Sequence, residues 1–239
     1  MQTSAMIDKT NIDYRVYLVL DPDLTAQLGM VETALAAAQA GAGLIQLRAP
    51  NWKKRAYFEC AVSLKNALKP YGIPLIIDDH VDVALAAKAD GVHVGQKDLP
   101  VEAVRQLVGP NMIVGLSINN MAQLQAMDPN LVDYIGVGPV YTTTTKKDAA
   151  APIGIEGLSA IAQQSPVPVV GIGGINEART VEIAQTAAHG VAVISAICGQ
   201  ADPAQATAKL LVAWQKGRQL QTSLCNFHRQ NCITGRYTG

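Results

Sequence analysis

Residues 74–98, PLIIDDHVDVALAAKADGVHVGQKD, contain the unit that decides the fold. Two short apolar runs, Pro74–Ile77 and Gly91–Val94, lie on either side of an alanine-rich helical segment, Val81–Ala87. Both runs are rich in β-branched residues and free of charge, which is typical of strands buried on both faces of a parallel sheet. The stretch therefore predicts a strand, a helix and a second strand parallel to the first.

The same alternation continues in both directions along the chain. Eight strand-like runs alternate with eight helical segments over about 200 residues, which favours a single α/β domain of the (β/α)8 TIM barrel type. An open, doubly wound sheet is the alternative, because the pattern alone does not prove that the sheet closes. The predicted strands are Arg15–Leu20, Leu44–Leu47, Pro74–Ile77, Gly91–Val94, Met112–Leu116, Tyr134–Val137, Pro168–Ile172 and Gly190–Val193.

Composition agrees with one large domain. Of 239 residues, 49% are hydrophobic and only 16% are charged, which excludes a disordered chain. Aromatic residues make up 5%, so we expect an aliphatic core. Residues 1–218 are expected to form the barrel domain, and residues 219–239, which lack periodicity, a flexible C-terminal tail. We assign no zinc site to Cys225, His228 and Cys232 of this tail, because they have no evident fourth ligand.

Charge and targeting signals limit the classes of partner. The 19 basic and 19 acidic residues cancel, which argues against nucleic-acid binding. No apolar stretch reaches the ~18 residues of a membrane-spanning helix, and the polar N-terminal segment does not resemble a secretory signal. The four cysteines show no disulfide-framework spacing. We predict a cytoplasmic protein that binds small molecules; a homo-oligomer is compatible with the sequence, which does not determine the oligomeric state.

Polar side chains concentrate where the predicted strands end, which is where barrels build their active sites. Arg48 follows the second strand, and its planar guanidinium suits phosphate. Asp78 and Asp79 follow the third strand and Asp98 follows the fourth. Carboxylates on neighbouring strand ends can share Mg²⁺ with substrate phosphates. Capping of the following helices by the same aspartates is the alternative interpretation. We interpret His93, inside the fourth strand, as a core histidine with satisfied hydrogen bonds.

The remaining strand ends carry features of anion sites. Ser117 follows the fifth strand, and residues 142–147, TTTTKK, follow the sixth. Gly174 follows the seventh strand and Ser195 the eighth, where barrels often bind phosphate through backbone N–H groups. The residues alone thus predict a magnesium-assisted barrel enzyme with two anion sites. The first site lies near Arg48, Asp79, Asp98 and Lys146, and the second lies near Gly174 and Ser195.

Several segments together resemble the thiamine phosphate synthase family. They are QLRAP (46–50), the stretch from Ile76 to Pro100, DYIGVGPVYTTTTKKDAAAPIGIEGL (133–158), VPVVGIGGI (167–175) and GVAVISAI (190–197). The resemblance runs in order from about Tyr14 to Val212. It implies a TIM barrel that joins hydroxymethylpyrimidine diphosphate to thiazole phosphate and releases pyrophosphate. Two alternatives are a paralogue like the related thiazole tautomerase and a non-catalytic barrel that binds thiamine phosphates.

The resemblance also implies roles for individual residues. Arg48, Ser117 and Lys146 are the implied catalytic residues, because they would bind the leaving pyrophosphate. Asp79 and Asp98 are the implied Mg²⁺ ligands. The implied substrate-binding residues are Gln46, which would face the aminopyrimidine, with Arg48, Asp78, Ser117 and Lys146 on the pyrimidine diphosphate side, and Thr143, Thr145, Gly174, Ile194 and Ser195 on the thiazole phosphate side.

Three positions depart from the family pattern. Pro50 stands where the family usually has a lysine, which removes one contact to pyrophosphate. Asp78 stands in place of the usual asparagine and adds negative charge beside a polyanion. Asn119 stands where the synthase and the tautomerase usually carry a histidine. That histidine is the proposed acid–base group of the tautomerase, so Asn119 counts against tautomerisation.

Overall fold

Eight parallel strands close into a barrel in the computed structural model, which describes residues 8–143, 145 and 150–233, with side chains up to residue 223. Each strand pairs with the next in the sequence, and the first pairs with the last through Val16↔Val191 and Leu18↔Val193. The predicted (β/α)8 barrel is therefore confirmed, and the open sheet is excluded. The strands are β1 (Val16–Leu20), β2 (Leu44–Leu47), β3 (Leu75–Asp78), β4 (Gly91–Val94), β5 (Ile113–Ile118), β6 (Tyr134–Val137), β7 (Val169–Ile172) and β8 (Gly190–Val193).

A helix follows every strand and covers the outside of the barrel. The helices are α1 (Met30–Gln39), α2 (Lys54–Leu68), α3 (Val81–Ala86), α4 (Val101–Val108), α5 (Met121–Ala126), α6 (Gly154–Gln164), α7 (Glu177–Ala184) and α8 (Pro203–Ile233). The strand boundaries lie within two residues of those predicted, because the apolar runs are bounded by proline, glycine and charged residues. In the described part of the chain, no helix combines the length and apolar character needed to cross a bilayer.

The last helix is longer than the sequence pattern predicts. We expected an irregular segment from residue 219, but α8 continues to Ile233. Residues 218–234 contain neither proline nor glycine, so nothing interrupts a helix that has already nucleated against the barrel. Arg218 anchors this part of α8, because its Nη1 donates to the carbonyl oxygen of Thr186 at 2.9 Å. The side chains of Cys225, His228 and Cys232, and residues 234–239, lie outside the described part of the chain.

Two hydrophobic clusters lie on the two sides of the sheet. The larger cluster fills the space between barrel and helices and is mostly aliphatic, as expected from the composition. The smaller cluster fills the barrel interior and includes three tyrosines, Tyr14, Tyr17 and Tyr134. The expectation of an aliphatic core is thus confirmed outside the barrel, while inside it aliphatic residues share the space with the three tyrosines. Gly115 on β5 leaves room for the rings of Tyr134 and His93, and Gly136 on β6 leaves room for His93.

Tyr14 differs from the other two interior tyrosines in its hydrogen bonding. Its ring packs 5.4 Å from that of Tyr134, centroid to centroid, but its buried hydroxyl has no partner among the described residues. Burial also raises the pKa of this hydroxyl well above its usual range. A buried hydroxyl without a hydrogen bond lowers stability, because it loses its bonds to water on folding.

We therefore expect Tyr14→Phe to raise the free energy of unfolding by about 1 kcal/mol. Tyr57→Phe is the matched control, because the Tyr57 hydroxyl is also buried but donates to the carbonyl oxygen of Leu47 at 2.5 Å. The control should lower the free energy of unfolding. Urea denaturation followed by circular dichroism measures both changes. Equal losses in the two variants would show that the Tyr14 hydroxyl does have a stabilising partner.

Candidate active site

The predicted site residues converge on one rim of the barrel. Because all eight strands are parallel, their carboxyl ends meet at the same edge, and each predicted residue lies at or just after such an end. Among the described residues these are Gln46, Arg48, Asp78, Asp79, Asp98, Ser117, Thr143, Thr145, Gly174, Ile194 and Ser195. Lys146, which was predicted to bind pyrophosphate, lies outside the described residues.

An ion pair connects the ends of β2 and β3. The Nε atom of Arg48 lies 3.4 Å from Oδ2 of Asp78, and the two side chains are only 18% and 14% exposed. Partial burial strengthens such a pair relative to one in open water, because solvent screens it less. The extra carboxylate at position 78 therefore has a local partner that offsets its charge. The predicted contact between Asp78 and substrate stays a prediction.

Asp79 and Asp98 lie on exposed loops after two neighbouring strands, β3 and β4. The backbone N–H of Asp79 donates to the carbonyl oxygen of His93 at 2.8 Å, and φ of Asp79 is +57°, a left-handed conformation that turns the chain sharply. Oδ2 of Asp98 accepts from the N–H of Gly95 at 2.8 Å. The N-cap residues of α3 and α4 are His80 and Pro100, so neither aspartate occupies a cap position, against the alternative interpretation.

This pair of carboxylates fits Mg²⁺ by its chemistry. Mg²⁺ prefers oxygen ligands and is commonly held by one or two carboxylates, with waters and substrate phosphates completing the octahedron. Within the described ranges, no group of three or more histidine, cysteine or acidic side chains could form a metal cage. The assignment of Mg²⁺ to Asp79 and Asp98 stays a prediction, and two carboxylates would leave the other coordination positions to water or an anionic ligand.

The loops after β6 and β7 form the other side of the rim. Val140 and Tyr141 donate their backbone N–H groups to the carbonyls of Ile172 and Gly173, at 2.8 and 3.1 Å. Gly174 has φ of +63°, and a Cβ atom there would lie 2.5 Å from the carbonyl oxygen of Thr142. Only glycine fits this contact without displacing the neighbouring loop. The two loops thus depend on each other for their conformation.

Three side chains that the sequence analysis did not single out hold these loops in place. Arg179, on α7, donates through Nη1 to the carbonyl oxygen of Gly174, and its guanidinium lies 4.4 Å above the ring of Tyr141. The Tyr141 hydroxyl donates to Oε2 of Glu182 at 2.7 Å. The sequence carries no signal for the contacts of Tyr141 with Arg179 and Glu182. Only the packing of α7 against the loop after β6 brings these side chains together.

Residues predicted for the second anion site lie on the neighbouring strand ends. β7 pairs with β8 through Ile172↔Ala192, so Gly174 and Ser195 follow adjacent positions of the sheet. Ser195 is exposed and Ile194 is partly buried. In the loop after β6, the backbone N–H of Thr145 donates to Oγ1 of Thr143 at 3.3 Å. The structure therefore places glycine, serine and threonine groups along one side of the rim.

A chain of buried polar side chains crosses the barrel interior below this rim. Nε2 of Gln46 lies 2.7 Å from the Tyr17 hydroxyl, which lies 2.9 Å from that of Tyr134. The Tyr134 hydroxyl lies 2.9 Å from Nδ1 of His93, and Nε2 of His93 lies 2.9 Å from Oγ of Ser117. His93 is thus a buried histidine with hydrogen bonds on both ring nitrogens, as predicted. The contact of His93 with Ser117 was not predicted from the sequence.

Asn119 is held by hydrogen bonds to its neighbours. Its side-chain Nδ2 donates to the carbonyl oxygen of Gly138 at 2.6 Å, and its backbone N–H donates to Oε1 of Gln123 at 2.7 Å. A carboxamide does not ionise near neutral pH, so this residue cannot serve as a general acid or base. Its position ties the end of β5 to the loop after β6.

Comparison with known sequences identifies the family. A sequence model described as thiamine monophosphate synthase matches residues 16–197, which cover the barrel from β1 to the loop after β8. The chain belongs to the thiamine monophosphate synthase family. Curated relatives agree. The thiamine-phosphate synthase of Laribacter hongkongensis is 50% identical over 203 residues, which span 84% of this chain and 96% of the relative. That of a Psychrobacter species is 47% identical over 201 residues, which span 83% of this chain and 93% of the relative.

Solved structures place the fold in the same family. The thiamine phosphate pyrophosphorylase from Pyrococcus furiosus is 35% identical, with a TM-score of 0.79, and the match covers 86% of this chain and 98% of that one. A 3-hexulose-6-phosphate synthase is 19% identical, with a TM-score of 0.63 over 83% of this chain and 99% of its own. The second likeness shows the barrel fold alone.

The glycine contact in this member of the thiamine monophosphate synthase family can be tested by substitution. We expect Gly174→Ala to lower the free energy of unfolding by about 1–3 kcal/mol more than Gly72→Ala, because its Cβ would overlap the neighbouring loop. Gly72 is the matched control: its φ is +64°, and a Cβ there meets nothing within 4 Å. Both variants share the left-handed strain, so the difference between them reports the contacts with Thr142 and Tyr141. Thermal and urea denaturation measure it, and equal effects would contradict the interlocked loops.

Proposed function

We propose that this chain is a transferase of thiamine biosynthesis. It would condense 4-amino-2-methyl-5-hydroxymethylpyrimidine diphosphate with 4-methyl-5-(2-phosphooxyethyl)thiazole to give thiamine phosphate and pyrophosphate, in the cytoplasm and with Mg²⁺. The proposal rests on the arrangement of groups around the rim. Cationic and carboxylate side chains follow β2–β5, and glycines and hydroxyl groups follow β6–β8. The names of the close relatives support the same reaction.

Arg48 and Ser117 would hold the diphosphate of the pyrimidine substrate. The ion pair with Asp78 keeps the Arg48 guanidinium oriented before substrate arrives, so little reorganisation is needed when charge develops. Lys146 would add a second positive charge. When bound by Asp79 and Asp98, Mg²⁺ would supply further neutralisation of the diphosphate oxygens.

The reaction requires no nucleophile from the protein. The bond between the pyrimidine methylene carbon and the diphosphate oxygen breaks, and its electron pair leaves with pyrophosphate. The lone pair of the thiazole nitrogen then forms the new carbon–nitrogen bond. Gln46 would accept a hydrogen bond from the exocyclic amine through Oε1, while Gly174, Ser195, Thr143, Thr145 and Ile194 would hold the thiazole phosphate. Holding both substrates in reacting geometry lowers the entropic part of the barrier.

The environment of Asn119 favours the synthase over a tautomerase. An isomerisation needs a group that removes a proton from one atom and returns it to another. The side chain at this position is an amide whose nitrogen donates to the Gly138 carbonyl, so it supplies no such group. Formation of pyrophosphate separates the synthase from the tautomerase and from a non-catalytic barrel, because neither alternative produces it.

The first test supplies the purified protein with both substrates and Mg²⁺. Thiamine phosphate is measured as fluorescent thiochrome after oxidation, and pyrophosphate is measured in parallel. We expect equal amounts of both products, and no product when EDTA removes the metal. Absence of product from a folded protein that still binds thiamine phosphate would contradict the proposal and favour the non-catalytic barrel.

A second test addresses the metal ligands. We expect Asp98→Asn to lower kcat/KM about 100-fold or more at limiting Mg²⁺, because it removes a ligand charge while the amide oxygen can still accept from Gly95. Asp128→Asn is the matched control, since Asp128 also accepts from a backbone N–H, that of Asn130 at 2.9 Å, but precedes β6 at the opposite end of the barrel. Wild-type activity in Asp98→Asn would show that the metal assignment is wrong.

A further inference from the structure

The interior hydrogen-bond chain, formed by Gln46, Tyr17, Tyr134, His93 and Ser117, connects two residues of the rim through the middle of the barrel. Its ends lie on β2 and β5, and its inner members come from β1, β6 and β4. Gln46, Tyr17 and Tyr134 are at most 4% exposed, and His93 is 9% exposed. The four links measure 2.7 to 2.9 Å, so each is a hydrogen bond of ordinary length.

The number of available hydrogens gives this chain one direction. Nε2 of Gln46 is a donor only, so the Tyr17 oxygen accepts from it. Tyr17 then donates its single hydrogen to Tyr134, and Tyr134 donates its own to Nδ1 of His93. In the reverse direction, the Tyr17 oxygen would accept twice and its hydrogen would be left buried without a partner, which is costly. A neutral His93 therefore carries its proton on Nε2 and donates it to Oγ of Ser117.

The surrounding residues keep the chain in this arrangement. Burial raises the pKa values of the Tyr17 and Tyr134 hydroxyls well above their usual range, so both stay protonated donors. Gly115 leaves the space in which Tyr134 meets His93, because a Cβ there would lie 2.4 Å from both the Tyr134 hydroxyl and Nδ1 of His93. A Cβ at Gly136 would lie 3.2 Å from Cε1 of the same imidazole. The absence of a side chain at these two positions thus allows the two rings to meet.

We infer that Tyr17, Tyr134 and His93 are positioning residues that set the hydrogen-bonding roles of Gln46 and Ser117 toward the substrate. Because Nε2 of Gln46 is committed to Tyr17, its Oε1 is the group presented to an exocyclic amine. Because Oγ of Ser117 accepts from His93, its own hydrogen is presented to an anionic oxygen. With Nε2 of Gln46 on Tyr17, a reversed chain would leave the Tyr17 hydrogen without a partner and would turn a lone pair of Ser117 toward the anion, which is unfavourable at both places. This inference rests on the proposed function for the identity of the ligands.

The direction of the chain can be measured without any substrate. In the full protein labelled with ¹⁵N-histidine, the nitrogen chemical shifts distinguish the two neutral tautomers from imidazolium, and His93→Gln assigns the His93 signals. We expect the tautomer protonated on Nε2. A tautomer protonated on Nδ1, or an imidazolium at neutral pH, would overturn the inference whether or not the protein makes thiamine phosphate.

Substitution of one tyrosine hydroxyl tests its effect on the substrate. Tyr134→Phe breaks the chain in the middle, whereas Tyr14→Phe removes a neighbouring buried hydroxyl that has no partner among the described residues. We expect Tyr134→Phe to lower kcat/KM for the pyrimidine diphosphate about 10- to 100-fold and to leave KM for the thiazole phosphate unchanged. Tyr14→Phe should stay within about twofold of wild type, as expected for a group outside the site.

Binding of inorganic pyrophosphate, measured by calorimetry, gives a result that does not depend on turnover. Tyr134→Phe should weaken it severalfold and Tyr14→Phe should not. Equal effects of the two variants, or an equal rise of both substrate KM values in Tyr134→Phe, would indicate a purely structural role and overturn the inference. If Tyr134→Phe does not fold, Tyr17→Phe breaks the same chain at the preceding link. A wild-type protein that makes no thiamine phosphate would refute the proposed function. The tautomer of His93 and the pyrophosphate binding of the two variants would still decide the inference.

Discussion

The pairing of β1 with β8 is the constraint on which the rest of this structure depends. It joins Val16 to Val191 and converts a row of parallel strands into a closed barrel with no free edge. Closure has two consequences. All eight carboxyl ends meet at one rim, so residues from distant parts of the sequence become neighbours there. The inward side chains are also enclosed in a narrow space, where every polar group needs a partner from the protein itself.

Some polar groups inside the barrel have hydrogen-bond partners from the protein, and one lacks a partner among the described residues. Toward the rim, the polar groups from Gln46 to Ser117 satisfy one another through tyrosine and histidine. At Tyr14 the hydroxyl lacks a partner within the described structure, and only the ring contributes to packing. Hydrogen bonds are stronger in such an environment than in water, and unpaired groups are more costly. A fully connected chain in this place thus acts as a rigid support for the two residues that end it.

The rim itself is organised by contacts between neighbouring loops. On one side, Arg48 is held by Asp78, so the additional carboxylate of this chain also orients a cation. On the other side, Arg179 and Tyr141 fix the loop that contains Gly174. Sites work best when the residues that touch a ligand are held by others that do not. Both halves of this rim have such support, which agrees with a reaction that relies on positioning and charge rather than on a protein nucleophile.

The sequence by itself predicted the alternation of strands and helices, the strand positions and the polar residues at the strand ends, because continuous apolar runs, glycine and proline breaks and charged strand ends are local signals. It favoured a closed barrel, but closure itself was decided by the pairing of β1 with β8. It also determined the likeness to the thiamine monophosphate synthase family. Only the tertiary structure decided that Asp78 pairs with Arg48, that α8 continues as a helix to Ile233, and that His93 connects Tyr134 to Ser117. Each of these outcomes depends on which side chains meet after the sheet closes, and that information is absent from local pattern because the partners are far apart in sequence.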